Sequence, residues 1–207
     1  MFKKLLIATI PITIISFAIG LVLAVAAALA NISGSRVLRG IARTYISVIR
    51  GTPLLVQLFI VFYGLTEIGI DLPPWPSAIL ALSLNVGGYA AEIVRSAILS
   101  VPKGQFEAAA TIGMGSWQTL RRIVFPQAAR TAVPPLSNTL ISLLKDTSLL
   151  SIVLVTELFR EAQIAAAAAQ VFFPLYLLAA LYYWVVCAAL AAGQGRIETR
   201  LNRFVAR

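Results

Sequence analysis

The stretch Leu5–Ala30 runs for 26 residues without a single charged side chain. As an α-helix it is about 39 Å long, more than enough to cross a hydrocarbon core of about 30 Å. In that core the backbone must satisfy its own hydrogen bonds, so such a run has to be helical. Pro11 falls in its first turns, where the missing N–H is tolerated. Lys3 and Lys4 ahead of the run, with Ala26, Ala28 and Ala30 behind it, imitate a signal peptide. The run is longer than the usual apolar segment of one, so a span is expected. Further apolar runs at about 53–65, 77–101, 132–155 and 173–192 predict five spans in all. Only 12% of the 207 residues are charged, half of what a soluble domain carries. The expectation is an all-α membrane protein of one domain, residues 1–207.

Several chemistries are excluded at once. There is no histidine, so histidine metal sites, haem ligation and histidine general-base catalysis are absent. Cys187 is the sole cysteine and sits in an apolar run, which removes a disulfide framework. No Gly-rich loop ending in Lys is present to hold a nucleotide. The net charge of +9 follows from arginines and lysines in short segments beside spans, which suits anionic headgroups and membrane orientation rather than nucleic acid. The segment 31–50 (read as a loop or surface helix), the segment 102–131 and the tail each carry four such residues. The opposite side carries Lys3, Lys4 and Arg160. The positive-inside rule therefore puts 102–131 and the C-terminus in the cytoplasm, against the two N-terminal lysines.

The polar island Glu107–Pro126, EAAATIGMGSWQTLRRIVFP, predicts two short helices. Gly113 stops the first, Ser116 caps the second, and Pro126 ends it. Trp117, Leu120 and Ile123 form an apolar stripe at helical spacing. Thr52–Pro53 predicts a cap followed by proline in the first helical position. Gln57 inside the second span is expected to face protein.

Glu107-Ala108-Ala109, then Gly113, then Ile123 and Pro126 fill every fixed position of the EAA loop of ABC importer permeases. Arg50-Gly51-Thr52-Pro53 and Lys145-Asp146-Thr147-Ser148-Leu149 resemble the polar amino acid members of that family. The resemblance implies the type I importer permease fold, with about 102–131 as a cytoplasmic coupling loop. It implies that Glu107, Ala108, Ala109, Gly113, Ile123 and Pro126 meet an ATPase subunit. It further implies two such ATPases, a second permease copy or related permease, an extracytoplasmic substrate-binding protein, and a bacterial inner-membrane location. ATP and Mg²⁺ would belong to the ATPase, leaving this chain without cofactor, metal or catalytic residues. Leu136–Leu149 and Thr156–Gln163 look most like cystine or diaminopimelate permeases; arginine, histidine, glutamine and glutamate permeases share much of this pattern. An ion-gradient transporter is the more distant alternative.

Ionisable groups at span depth cost at least ~2.5 kcal/mol unless paired or wet. Glu92 and Arg95, three apart, can pair with each other. Lys145 and Asp146 leave the helix in different directions, and Thr147 and Ser148 can support an unwound turn. Asn85, Tyr89, Glu92, Lys145, Asp146, Thr147, Ser148 and Glu157 are the pathway candidates, as they supply the groups a zwitterionic amino acid needs. For Glu157 an exposed loop acid is the plain alternative, and for Lys145–Asp146 an inter-subunit structural pair.

Overall fold

The computed structural model describes residues 1–202; Arg203 and Arg207, counted above in the tail, lie outside the described residues. Among the described residues the chain is all-helical. Helix α1 covers Phe2–Ile32, α2 Arg36–Gly51, α3 Leu54–Glu67, α4 Pro74–Leu99, α5 Lys103–Thr111, α6 Ser116–Val153, α7 Leu158–Ala169 and α8 Phe173–Asn202. The helices α1, α4 and α8 are each long and apolar enough to cross a membrane. Counted as one span each, the bent pairs α2–α3, turned through 109°, and α6–α7, turned through 50°, bring the number to five.

Three sequence expectations change at proline and cap positions. Pro126 does not end a helix: α6 runs through it. A proline ring clashes with the carbonyl four residues back. Those residues, Ile7 for Pro11 and Arg122 for Pro126, both lie in wider π turns, Leu5–Thr9 and Leu120–Val124, which absorb the clash. The cap of α6 is Gly115 rather than Ser116. Thr52 closes α2 while Pro53 occupies the cap position of α3. The segment 31–50, read as a loop or surface helix, is mostly the basic amphipathic helix α2.

Helix α4 is the hub. Of its most apolar 18 residues 61% are buried, against 33% for α1 and 6% for α8. It packs along α1, α2 and α6. Close approach needs small residues, as membrane helices gain little from apolar surface alone. A Cβ on Gly88 would lie 2.4 Å from Ile49 Cγ2, and one on Gly87 2.4 Å from the Tyr45 hydroxyl. That hydroxyl donates to the Leu84 carbonyl at 2.7 Å and ties α2 to the middle of α4. One apolar cluster, with Leu82, Val86, Leu143 and Leu150, fills the middle of the bundle. A second, with Val94, Ile98, Val124 and Ala128, fills the end that carries α5.

Candidate functional site

A cavity of about 370 Å³ opens between α4, α6 and the turn from α2 to α3. From α4 come Asn85 and Tyr89, one helical turn apart. From α6 come Asn138, Thr139, Ser142 and Asp146, again at one-turn intervals, so a single polar stripe on each helix faces the space. Thr52, Pro53 and Leu54 form the remaining wall. Asp146 is the last residue of the α-helical part of α6; the chain continues as a 3-10 segment, Thr147–Val153. The chain therefore stays helical and tightens after Lys145–Asp146, where an unwound turn was expected. Among the described residues the Asp146 carboxylate has no ion-pair or hydrogen-bond partner. Arg50, at the end of α2, places its guanidinium 5.9 Å from the centre of the Tyr89 ring, within cation–π range.

The candidates nominated from sequence do not all gather here. Asn85, Tyr89 and Asp146 line the cavity. Lys145 and Ser148 point to a second cavity of about 500 Å³, walled by Phe159, Tyr176, Tyr183, Trp184 and Cys187. Thr147 is buried, its hydroxyl donating to the Leu144 carbonyl at 2.7 Å. Glu92 lies one turn beyond Tyr89 and is held by Arg95, whose Nε donates to it at 2.9 Å.

Glu157 is not an exposed loop acid, and it lines neither of these two cavities. It is fully buried and caps α7, accepting from the Arg160 backbone N–H at 2.8 Å. It also accepts from the Tyr183 hydroxyl at 2.8 Å and the Thr9 hydroxyl at 3.5 Å, which knits α1, α7 and α8 together. Asn138, Thr139 and Ser142 join the cavity without being among the sequence candidates; their signal in the sequence is the helical spacing with Asp146.

The Glu107–Pro126 segment stands out at one end of the bundle. α5 ends in a Schellman turn: Met114 N–H bonds the Ala109 carbonyl and Gly113 N–H the Ala110 carbonyl, both at 3.0 Å. Gly113 has φ +75°, where a side chain is strained. Glu107, Ala108 and Pro126 are exposed, Ile123 is half-buried, and Ala109 is buried where α5 rests on the π turn of α6. Phe106, Ile112 at 74% exposure and Trp117 at 65% bare large apolar surface beside them. Trp117 thus points away from the bundle.

The family of binding-protein-dependent transport system inner membrane components matches residues 16–203. The chain belongs to this family. The L-cystine transport system permease protein TcyB of Bacillus subtilis (strain 168) is 55% identical over 200 residues, covering 96% of this chain and 86% of the relative. The probable glutamine ABC transporter permease protein GlnP of the same organism is 43% identical over 167 residues, covering 79% of this chain and 77% of the relative. A crystal structure of an amino acid ABC transporter with histidines superposes with a TM-score of 0.88 at 34% identity, over 94% of this chain and 91% of that one. The MetNI methionine ABC transporter, at 19% identity and a TM-score of 0.76 over 96% of this chain and 93% of that one, shares the fold. The type I importer permease architecture and the family assignment drawn from Glu107–Pro126 therefore hold.

Proposed function

We propose that this chain is the membrane permease of an importer for a polar amino acid, L-cystine first among the candidates. A separate ATPase supplies the energy, and access to the substrate cavity alternates between the two faces. The observation that carries this reading is the unpaired Asp146 in a polar cavity beside Asn85, Tyr89, Asn138 and Ser142. An unpaired carboxylate inside a membrane bundle is costly, and a substrate ammonium relieves that cost. Asn138, Ser142 and the Tyr89 hydroxyl are available to donate to the carboxylate end. The identity to TcyB supports cystine. A permease for a basic amino acid is the second reading, favoured because Asp146 is the one charged group lining the cavity.

The exposed segment Lys103–Pro126 is the docking site for the ATPase in this reading, with Glu107, Ala108 and Gly113 at the contact and Phe106, Ile112 and Trp117 supplying apolar area. A second permease subunit covers part of α8, a substrate-binding protein delivers from the opposite face, and α5 lies in the cytoplasm. The test is uptake into proteoliposomes holding this chain with its ATPase and binding protein. ATP-dependent accumulation of L-cystine is expected. Accumulation driven by an ion gradient without ATPase overturns the importer mechanism, and accumulation of arginine in place of cystine selects the second reading.

A further inference from the structure

The bend between α2 and α3 carries a hydrogen-bond network whose direction can be read without seeing a proton. Pro53 has no N–H, so the Ile49 carbonyl, four residues earlier, loses its helical donor. Gln57 supplies one: its side-chain nitrogen lies 2.8 Å from the Ile49 carbonyl and 3.1 Å from the Thr52 carbonyl. It also lies 2.9 Å from the Thr52 hydroxyl oxygen, whose own proton goes to the Val48 carbonyl at 2.8 Å. Three acceptors thus meet one atom of Gln57, which must be the NH₂ group. The other end of the amide is then an oxygen, and it can only accept. Asn85 meets it at 2.9 Å and must present its nitrogen.

The consequence falls on the cavity. With Nδ2 held by Gln57, Oδ1 is the free end of the Asn85 amide, a residue that lines the cavity, and among the described residues it accepts no hydrogen bond. Thr139 on the facing helix has spent its proton on the Pro135 carbonyl at 3.0 Å, so it too offers only lone pairs. The Asp146 carboxylate adds a third lining group that offers only lone pairs.

We infer that Gln57 is a positioning residue that locks Asn85 with its carbonyl toward the cavity, so that the site selects a ligand end bearing a protonated amine. Gln57 is 8% exposed and does not line the cavity; it acts through Asn85. A site built from committed acceptors rejects an analogue lacking the donor far more strongly than an apolar pocket rejects a missing methylene. The inference rests on the reading of this cavity as the amino acid site.

The experiment is equilibrium binding to the purified permease–ATPase complex in nanodiscs, without the binding protein, which would impose its own selection. The probes are L-cystine and 3,3′-dithiodipropionate, which keeps the disulfide and both carboxylates but has no amine. The wild-type complex is expected to prefer cystine by about 100-fold or more. Gln57→Met frees Asn85 to turn and is expected to cut that preference by about tenfold or more. Gln57→Glu still accepts from Asn85 and is expected to keep the preference while binding both probes more weakly. Asn85→Ala leaves the clamp on the bend in place and carries the same expectation as Gln57→Met, so the test stands if that variant does not fold. Unchanged preference in Gln57→Met and Asn85→Ala overturns the inference, as does equal loss of preference in Gln57→Met and Gln57→Glu. If the wild type binds both probes alike, or Asp146→Asn changes nothing, the cavity reading itself is overturned.

Discussion

Lys145 and Asp146 are neighbours in sequence, yet consecutive side chains on a helix diverge by about 100°. Asp146 enters the polar cavity and Lys145 the aromatic one. Their roles must therefore separate under mutation. Asp146→Asn removes the charge proposed to answer a substrate ammonium; hydrogen bonds to charged groups contribute about 1.5–3 kcal/mol. Half-saturation for uptake is expected to rise roughly 10- to 100-fold, read from initial rates in proteoliposomes. Glu157 acts on stability instead. Glu157→Ala strips a buried cap from α7 and leaves the Tyr183 hydroxyl and the Arg160 N–H without their acceptor. A loss of about 2–4 kcal/mol should lower the melting temperature of the purified complex by several degrees. If Glu157 belonged to the substrate path, affinity would change at unaltered Tm.

At the scale of single elements, two glycines set geometry for different reasons. Gly113 is required by its backbone: φ +75° at the end of α5 costs a side chain about 1–2 kcal/mol. Gly113→Val is expected to loosen the Schellman turn, weaken co-purification of the ATPase and cut ATP-driven uptake. Binding of amino acid in the distant cavity should be unaffected. Gly88 is required by its neighbour. Ile49 is stiff at χ1, so a Cβ 2.4 Å from its methyl must push α2 off α4. Gly88→Ala is expected to lower Tm and to alter the bend at Thr52–Pro53; an unchanged Tm would show that α2 slides freely. The π turns belong to this scale too. The prolines were plain in the sequence, but whether a helix breaks at Pro126 or widens ahead of it depends on what packs around it. Val124 and Ala128 on either side are buried against α4, and that packing keeps the helix continuous.

For the molecule as a whole, the positive segments and the five crossings predict that α5 and the end of α8 share the cytoplasmic face. In a Cys187→Ser background, a cysteine at Gln118 should react with a membrane-impermeant maleimide only after the membrane is opened, and one at Asp71 from outside intact cells. The reverse pattern would invert the topology. The face of α8 is largely exposed, and Lys145 beside it has no ion-pair partner among the described residues. Five spans, the helical class, the family and the protruding Glu107–Pro126 segment were legible in the sequence. Each rests on local quantities: apolar length, helix period, fixed motif spacing and the φ that only glycine takes easily. The membership of the cavity was not legible, nor was the burial of Glu157 or the direction of the Asn85 amide. Those depend on side chains 28 to 148 residues apart meeting across helices. A short-range pattern marks which face of a helix is polar. Only packing decides which polar faces meet, and a buried donor takes whichever acceptor packing brings within reach.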